Sequence, residues 1–450
     1  MKAAGTWRLK EAPPGANIIG SKWVFNAKKD ATGNIVRYKA RLVAQGFSQI
    51  GNVNYDNTYA LVTHLALLRA IIMIANQLGL ELHQVDIKGA YLNGILHEDE
   101  VLYTQHPPGY KAQGISRLML CLLKTLYGLK QSGRRWYQKL SSIFLSLDFK
   151  QCSVDQAVFY KVDQDRKTLM VVAVHLDDCT ITASSKKLIE ELITGLHKSL
   201  EVMDLGELHW MISIKIQHDC MNHTIHLSQH AYIDSILHHY NLSDLKLLSM
   251  PMDTSIQLTT KLAPSSAAEH MVMHNVPYCK AIGTLNWAVL ATCPDIAFTV
   301  ATVARFAANP SPAHWEAIKW IYYYLAGTHD LWLSYGETKQ TLKGYADVDG
   351  SMAEDRHAIT GYTFLINGSA ISWSSKWQEI VLLSTTESEY ITVTHGMKEV
   401  LWLCSLLSKV FGTITTPTTL FLDNQAAIAL TCNHQYHSCM KHIDVQYHFI

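Results

Sequence analysis

The chain has 450 residues, of which 48% are hydrophobic and 17% are charged. This composition excludes an intrinsically disordered protein, and the length exceeds what one hydrophobic core usually supports, so we expect at least two globular domains. A formal net charge of zero excludes a uniformly basic surface, so any affinity for phosphates must come from local clusters of Lys and Arg.

The cysteines and the apolar stretches indicate where the chain resides. Nine cysteines without a Cys-x-x-Cys pair are typical of a reducing compartment. Residues 1–12 alternate charged and polar positions, unlike a secretory signal. Residues 65–82 are apolar but contain Arg69, Asn76 and Glu81, which predicts an amphipathic core helix and not a membrane span. We therefore expect a protein of the cytoplasm or the nucleus, neither secreted nor in a membrane.

The first predicted elements are two strands, at 22–25 and 39–44, with a turn at 30–34. Aromatic residues Trp23, Phe25 and Tyr38 interleave with basic ones in this region. The basic cluster consists of Lys22, Lys28, Lys29, Arg37, Lys39 and Arg41. This pattern favours a sheet that presents cations to a triphosphate or a template strand, and a solvated face is the alternative.

Three carboxylates stand at the ends of apolar strands. A helix is predicted over 65–80, and Asp86 ends the strand after it. The apolar runs 169–176 and 179–183 meet at Asp177 and Asp178, which predicts a hairpin. Adjacent carboxylates repel unless a cation neutralises them, and carboxylates on neighbouring strand ends suit a pair of Mg²⁺ ions. The alternative is an ordinary turn, because Asp is common in turns.

Helices are predicted at 136–147 and 185–200, on either side of this hairpin. A second basic cluster precedes and enters the first of them, and consists of Lys124, Lys130, Arg134, Arg135 and Lys139. From 250 to 340 the chain is rich in proline, with amphipathic helices at 281–291 and 313–326. Such a proline-rich stretch is typical of a connection between domains.

The C-terminal part has a compact α/β pattern. A strand ends at Asp347, and residues 359–373 form two strands around the Asn367-Gly368 turn, a strong hairpin signal. A helix capped by Ser384 or Thr385 is predicted to run to about Val410, and the strand 419–422 ends at Asp423.

Six segments in this order resemble one family. Residues 39–49, 84–94 and 126–132 resemble the reverse transcriptase of copia-type LTR retrotransposons. Residues 383–390, 423–430 and 441–444 resemble the ribonuclease H that follows it in the Pol polyprotein. The resemblance implies an α/β (α+β) fold, with right-hand polymerase palm, fingers and thumb, a helical connection, and a ribonuclease H-like domain. The implied bounds are 1–245 for the polymerase, 246–340 for the connection and 341–450 for the last domain, which we expect to be truncated at its C-terminus.

The resemblance assigns roles to residues of the polymerase part. Asp86, Asp177 and Asp178 would be the catalytic carboxylates that hold two Mg²⁺ ions, with Mn²⁺ as the alternative ion. Arg41 and Gln131 match positions that touch the incoming nucleotide, and a guanidinium suits phosphate. Tyr91 matches the aromatic residue beneath the sugar, where a ribose 2′-hydroxyl would clash. The alternative is that Tyr91 is a core tyrosine with a packing role only.

The resemblance also assigns the ligands of two Mg²⁺ ions in the ribonuclease H part. The four matching acids are Asp347, Glu389, Asp423 and Asp444. Glu387 competes with Glu389, and Asp349 competes with Asp347. We expect Asp444 to be the least well held, because the chain ends six residues later. A zinc site near the C-terminus is disfavoured, because the spacing of Cys432, His434, His437, Cys439 and His442 is not that of a finger or a knuckle.

The implied activities are RNA-directed DNA polymerisation and hydrolysis of RNA in a hybrid. The expected partners are an RNA template, a DNA primer or an RNA/DNA hybrid, and deoxynucleoside triphosphates. In an intact element this protein would lie in a cytoplasmic virus-like particle. His175-Leu176 replaces the family's usual Tyr-Val, and the chain lacks the Trp that usually follows the first ribonuclease H acids. Because of these departures, the alternative is a decayed remnant that at most binds nucleic acid.

Overall fold

The structure is a computed structural model, and it describes residues 5–29, 34–109, 118–163, 168–219, 221–242, 247–253, 255–336, 342–349, 357–379, 384–412 and 417–432. Helices and mostly antiparallel sheets alternate along these residues, which confirms the predicted mixed α+β class. Among them, no helix combines the length and the apolar character that crossing a membrane requires.

The α-helices are α1 (Leu65–Gln77), α2 (Ala90–Asn93), α3 (Ser132–Ser146), α4 (Lys186–His197), α5 (His230–His239), α6 (Ala267–Met273), α7 (Tyr278–Ala291), α8 (Ala297–Ala304), α9 (Pro312–Thr328), α10 (Thr385–Val410) and α11 (Gln425–Cys432). The predicted helices at 136–147, 185–200, 281–291 and 313–326 correspond to α3, α4, α7 and α9. Each matches within a few residues, since helix ends are the least certain part of such predictions.

The strands are β1 (Trp7–Glu11), β2 (Ile18–Ile19), β3 (Ser21–Lys29), β4 (Ile35–Ala44), β5 (Glu81–Ile87), β6 (Tyr103–Thr104), β7 (Leu118–Leu122), β8 (Lys150–Gln151), β9 (Val158–Val162), β10 (Leu169–His175), β11 (Asp178–Ala183), β12 (Val202–Glu207), β13 (Trp210–Met211), β14 (Ile214–Asp219), β15 (Thr224–Ser228), β16 (Leu333–Tyr335), β17 (Leu342–Asp349), β18 (Ile359–Ile366), β19 (Ser369–Trp377) and β20 (Thr419–Phe421).

The chain divides into two compact units. The first comprises Met1–Thr63 and Glu81–Glu207, and the second comprises His64–Leu80 and Leu208–Ile450. Helix α1 therefore belongs to the second unit, although its neighbours in sequence belong to the first. The three-part division at 245 and 340 stays a prediction.

The first unit is built around a six-stranded sheet of order β12-β5-β11-β10-β9-β8. Strand β10 is buried along almost its whole length, as its unbroken apolar run requires. Helices α3 and α4 supply Trp136, Leu140 and Leu196 to the same core cluster as the strands. The sheet thus holds the end of β5 beside the β10–β11 hairpin.

A separate two-stranded hairpin, β3–β4, carries the first basic cluster. The strands pair antiparallel from Ser21 opposite Ala44 to Lys29 opposite Ile35. Phe25 and Tyr38 are 75% and 78% exposed on this hairpin. The predicted strands are confirmed, and the turn between them lies outside the described residues.

The second unit combines a helical cluster with two four-stranded sheets. Helices α5, α7, α8 and α9 share one apolar core. One sheet has the order β19-β18-β17-β20, in which β20 runs parallel to β17. The predicted Asn367-Gly368 hairpin joins β18 and β19, and both residues have positive φ, as a type I′ turn requires. Ser384 caps α10 by accepting from Glu387 N, which confirms the predicted start of that helix.

Helix α1 differs from its prediction. The sequence predicts an amphipathic helix, but every residue from Ala66 to Asn76 is buried, including Arg69 and Asn76. Asn76 donates to the His223 carbonyl and its amide oxygen lies 3.0 Å from His218 Nε2. The polar residues therefore do not form a solvent face; their polar groups bind partners inside the second unit.

Candidate active sites

The first carboxylate cluster lies where β5 meets the β10–β11 hairpin. Asp178, the first residue of β11, is directly opposite Asp86 of β5. Directly opposed residues of antiparallel strands have Cβ atoms about 4.5–5.5 Å apart. Asp177 lies in the hairpin loop, and its carbonyl accepts a hydrogen bond of 2.8 Å from Ile87 N. The structure thus brings the three predicted aspartates to one place.

The electrostatics of this cluster favour a bound cation. Burial raises the pKa of Asp178 to about 6, and repulsion from Asp177 and Asp86 acts in the same direction. A hydrogen bond from Gln84 opposes the rise only in part. Clustered carboxylate oxygens are the ligands that hard divalent cations prefer. The donor set therefore fits Mg²⁺ or Mn²⁺.

The hairpin loop that carries Asp177 has a strained backbone. It contains two residues, Leu176 and Asp177, between the paired His175 and Asp178. Leu176 has a positive φ of 60°, whereas the φ of Asp177 is not positive. This combination matches a type II′ turn, whose first position normally takes glycine. Trp136 Nε1 donates to the Leu176 carbonyl at 2.8 Å and fixes this turn.

Arg41 and Tyr91 are linked through a third residue, Tyr127. The rings of Tyr91 and Tyr127 meet edge to face, 5.3 Å apart, and the Arg41 guanidinium lies 5.5 Å from the Tyr127 ring centre. Burial raises the pKa of Tyr91, and the nearby Asp177 adds to the rise. Tyr127 lies inside the resembling segment 126–132, but no local pattern around it distinguishes it from a core tyrosine.

Gln131 occupies a different environment from the one expected of a nucleotide ligand. It is 1% exposed. Its amide oxygen accepts from Gln49 Nε2 at 3.0 Å, and its amide nitrogen donates to the Asn54 carbonyl at 2.8 Å. In this conformation Gln131 positions the surrounding loop, and its contact with a nucleotide stays a prediction.

The second basic cluster is partly neutralised by an acid that is distant in sequence. Arg135 Nε lies 2.7 Å from Glu100 Oε2, and both side chains are largely buried. Lys130 Nζ lies 4.8 Å from the centre of the Tyr55 ring and donates to its hydroxyl. Arg135 and Lys130 therefore have structural partners within the first unit.

The second carboxylate cluster consists of Asp347, Glu389 and Asp423. Their ligand atoms lie within 4.8 Å of one another. Asp347 is on β17, Glu389 is on the second turn of α10, and Asp423 follows β20, the parallel neighbour of β17. The structure gathers Glu389 and Asp347 rather than their competitors Glu387 and Asp349. Asp444 and the four residues from His434 to His442 that the zinc alternative needs lie outside the described residues.

Glu389 is the central group of this cluster. It is 5% exposed, and its Oε2 atom is buried with no hydrogen-bond partner. Burial raises its pKa to about 7, with repulsion from Asp347 and Asp423 in the same direction. A buried oxygen without a donor, beside two exposed carboxylates, fits a divalent cation as the missing partner.

The family model "Reverse transcriptase (RNA-dependent DNA polymerase)" matches residues 4–254, and the chain belongs to that family. The Pol polyprotein of transposon TNT 1-94 from Nicotiana tabacum is 39% identical over all of this chain and 34% of its own length. That of transposon RE1 from Arabidopsis thaliana is 34% identical over 99% of this chain and 30% of its own length.

These relatives confirm the resemblance to copia-type retrotransposon Pol polyproteins, and the chain spans about a third of their length. A foamy viral protease-reverse transcriptase solved with double-stranded DNA aligns with a TM-score of 0.45 and 10% identity. That alignment covers 94% of this chain and 61% of the other. The family assignment does not depend on it.

Proposed function

We propose that this chain is an RNA-directed DNA polymerase coupled to ribonuclease H, with one two-metal site for each reaction. The proposed polymerase activity is supported above all by the placement of Asp86 opposite Asp178, with Asp177 in the adjoining loop. The family match covers this region. The proposed division of the chain is polymerase at 1–245, connection at 246–340 and ribonuclease H-like at 341–450.

In the polymerase site, Asp86, Asp177 and Asp178 would hold two Mg²⁺ ions, which when bound lower the pKa of the primer 3′-hydroxyl and neutralise the leaving pyrophosphate. Arg41 would bind the triphosphate, because its planar guanidinium matches phosphate oxygens. Arg41 Nε is buried without a hydrogen-bond partner, so it has a donor left for such a ligand.

Tyr91 would select deoxynucleotides. Its ring meets the Tyr127 ring edge to face, and its backbone carbonyl accepts a hydrogen bond from Thr125 Oγ1. The first contact limits the movement of the ring and the second fixes the backbone that carries it, so the ring would overlap a ribose 2′-hydroxyl and reject the ribonucleotide. The proposed substrates are therefore deoxynucleoside triphosphates.

The proposed template is RNA and the proposed primer is DNA. The β3–β4 hairpin offers Phe25, Tyr38 and Arg37 to solvent, a combination that binds single strands by stacking and charge.

The described cysteines are free thiols, in keeping with a reducing compartment, cytoplasm or nucleus, as the proposed location.

In the second site, Asp347, Glu389 and Asp423 would hold Mg²⁺ with Asp444 as a fourth ligand. The substrate would be the RNA strand of the hybrid that the first site produces. Glu389 supports this role best, because its buried oxygen lacks a donor. Two carboxylates flanking it would complete a site for hydrolysis of a phosphodiester.

The test is extension of a labelled DNA primer on an RNA template by the purified chain with Mg²⁺. We expect extension by the wild type and none by Asp177→Asn. Asp148→Asn is the matched control, because Asp148 is an acid with 88% side-chain exposure outside both clusters, and it should extend normally. A wild-type chain that binds the primer–template but does not extend it would favour the alternative, a decayed remnant that only binds nucleic acid.

A further inference from the structure

A cluster of two histidines and two aspartates lies between the start of α5 and the end of α9, away from both carboxylate sites in sequence. Its members are His230, Asp234, His329 and Asp330. Asp234 Oδ2 lies 3.1 Å from His230 Nε2, and Asp234 Oδ1 lies 2.9 Å from His329 Nδ1. The two imidazole rings are 4.7 Å apart.

Three of these side chains have the separations of metal ligands. One ligand atom from each of His230, Asp234 and His329 lies within 4.8 Å of the others. In a tetrahedral zinc site with bonds of about 2.0–2.1 Å, ligand atoms are roughly 3.3 Å apart. Each Asp234 oxygen lies close to that distance from one of the two nitrogens, Oδ2 at 3.1 Å from His230 Nε2 and Oδ1 at 2.9 Å from His329 Nδ1.

Asp330 occupies the position of an outer carboxylate. It contacts the opposite nitrogen of each ring: Oδ1 lies 3.2 Å from His230 Nδ1, and Oδ2 lies 3.4 Å from His329 Nε2. A histidine that binds a metal through one nitrogen usually donates its other ring N–H to a carboxylate, which sets its tautomer. Here a single aspartate would orient both imidazoles. An ordinary surface ion pair does not require that arrangement.

The scaffold holds these groups in place. His230 and Asp234 are one helical turn apart on α5, so both face the same side. Ile233 and Leu237 of α5 share an apolar core with Ile321 and Leu325 of α9. His329 caps the end of α9. Because both helices are packed in one core, binding would not require the chain to order a loop.

We infer that His230, His329 and Asp234 form a zinc site with a water molecule as the fourth ligand, oriented by Asp330. Two nitrogens and one oxygen in a four-coordinate arrangement favour Zn²⁺ over the oxygen-seeking Mg²⁺. The ion would join α5 to the end of α9 and would take no part in either proposed reaction. The zinc site therefore does not depend on the proposed activities.

Titration of the full chain with Co²⁺, followed by displacement with Zn²⁺, tests this inference. Four-coordinate Co²⁺ absorbs strongly in the visible range, whereas Co²⁺ in an oxygen-rich octahedral site absorbs weakly. We expect strong bands at one equivalent of Co²⁺ that Zn²⁺ abolishes. His230→Ala and His329→Ala should lose them, and His238→Ala, an exposed histidine of the same helix, should keep them.

Asp330→Asn retains all three proposed ligands and should bind about 10–100-fold more weakly, the usual effect of an outer-carboxylate change. Circular dichroism of each variant without metal shows whether it is folded. Absence of strong bands in the wild type, or their persistence in folded His329→Ala, would overturn the site and leave the cluster as ion pairs only. Wild-type affinity in Asp330→Asn would overturn the orienting role of that residue.

Discussion

Arg69 is a buried cation that joins three elements of the second unit. It is 5% exposed on α1. Its Nε donates to the Ile371 carbonyl at 2.8 Å, and one terminal nitrogen donates to the carbonyls of Leu290 and Ala291 at 2.7 and 3.0 Å. Its guanidinium carbon lies 3.9 Å from the centre of the Trp373 ring. A single side chain thus ties α1 to the end of α7 and to β19.

We predict that Arg69→Ala lowers the free energy of unfolding of the second unit by about 3 kcal/mol. Each hydrogen bond from a charged group contributes about 1.5–3 kcal/mol, and the cation–π contact adds about 1–2 kcal/mol. The guanidinium is itself costly to bury, because burial lowers its pKa to about 10 while leaving it charged at neutral pH. That cost disappears with the side chain, so the net loss is well below the sum of the contacts, at about 3 kcal/mol.

Hydrogen exchange of peptides from the end of α7 and from β19 measures this loss. A change of about 3 kcal/mol corresponds to roughly 100-fold faster exchange. Arg69→Met keeps the apolar stem but has no donor, so it should behave like Arg69→Ala, and Arg69→Lys should be intermediate. Arg8→Ala removes an exposed guanidinium from β1 and is the control. If Arg69→Ala exchanges as slowly as this control, the buried cation is not what holds the three elements together.

Further predictions concern the candidate sites. Asp178→Asn should abolish primer extension and leave hybrid cleavage intact, as measured on separate substrates, because it removes a ligand from one site only. Glu389→Gln should give the reverse result, and equal loss of both activities in either variant would argue against two independent sites. Tyr91→Ala should admit ribonucleotides with little loss of deoxynucleotide incorporation. Tyr127→Ala should weaken the same discrimination in part, since Tyr127 supports the Tyr91 ring, and unchanged selectivity in both variants would leave Tyr91 as a core residue.

Local features could be predicted from the sequence because short-range chemistry determines them. The β10–β11 hairpin follows from two apolar runs around Asp177, and the β18–β19 turn follows from Asn367-Gly368. The register that places Asp86 opposite Asp178 joins strands far apart in the chain. Only the family resemblance indicated that meeting, because strand pairing at long range depends on topology rather than on local pattern.

Features that depend on partners distant in sequence were missed. Helix α1 has the composition of an amphipathic helix, and its burial on all sides depends on acceptors such as the Ile371 carbonyl. The cluster of His230 and His329 joins the start of α5 to the residue after α9, and the two histidines are 99 residues apart in sequence. Tyr127 is similar, since its importance comes from Arg41 and Tyr91. In each case the role of the residue depends on a contact with residues distant in sequence, which local sequence patterns do not reveal.

The strained turn at Leu176 gives a last prediction about how the β10–β11 hairpin is held. The resemblance places Leu176 where the family usually has valine. The backbone is strained at this position, because φ is 60° and a non-glycine residue rarely adopts a positive φ. The turn therefore needs support from outside the hairpin, and the hydrogen bond from Trp136 Nε1 to the Leu176 carbonyl provides it.

We predict that Trp136→Phe keeps the first unit folded but slows primer extension about 10-fold, equivalent to about 1.4 kcal/mol in the activation barrier. Trp136 is 2% exposed, and phenylalanine preserves most of its apolar contacts while removing the donor. Asp177 directly follows Leu176, whose carbonyl loses its hydrogen bond in this variant. The Asp177 carboxylate should therefore be less well positioned, and the rate of primer extension should fall more than the affinity for the nucleotide. Phe144→Leu alters another buried aromatic residue of α3, one stacked on Phe159, and should cost stability without slowing the folded enzyme. Equal slowing in both variants would show that core packing, and not this hydrogen bond, governs the hairpin.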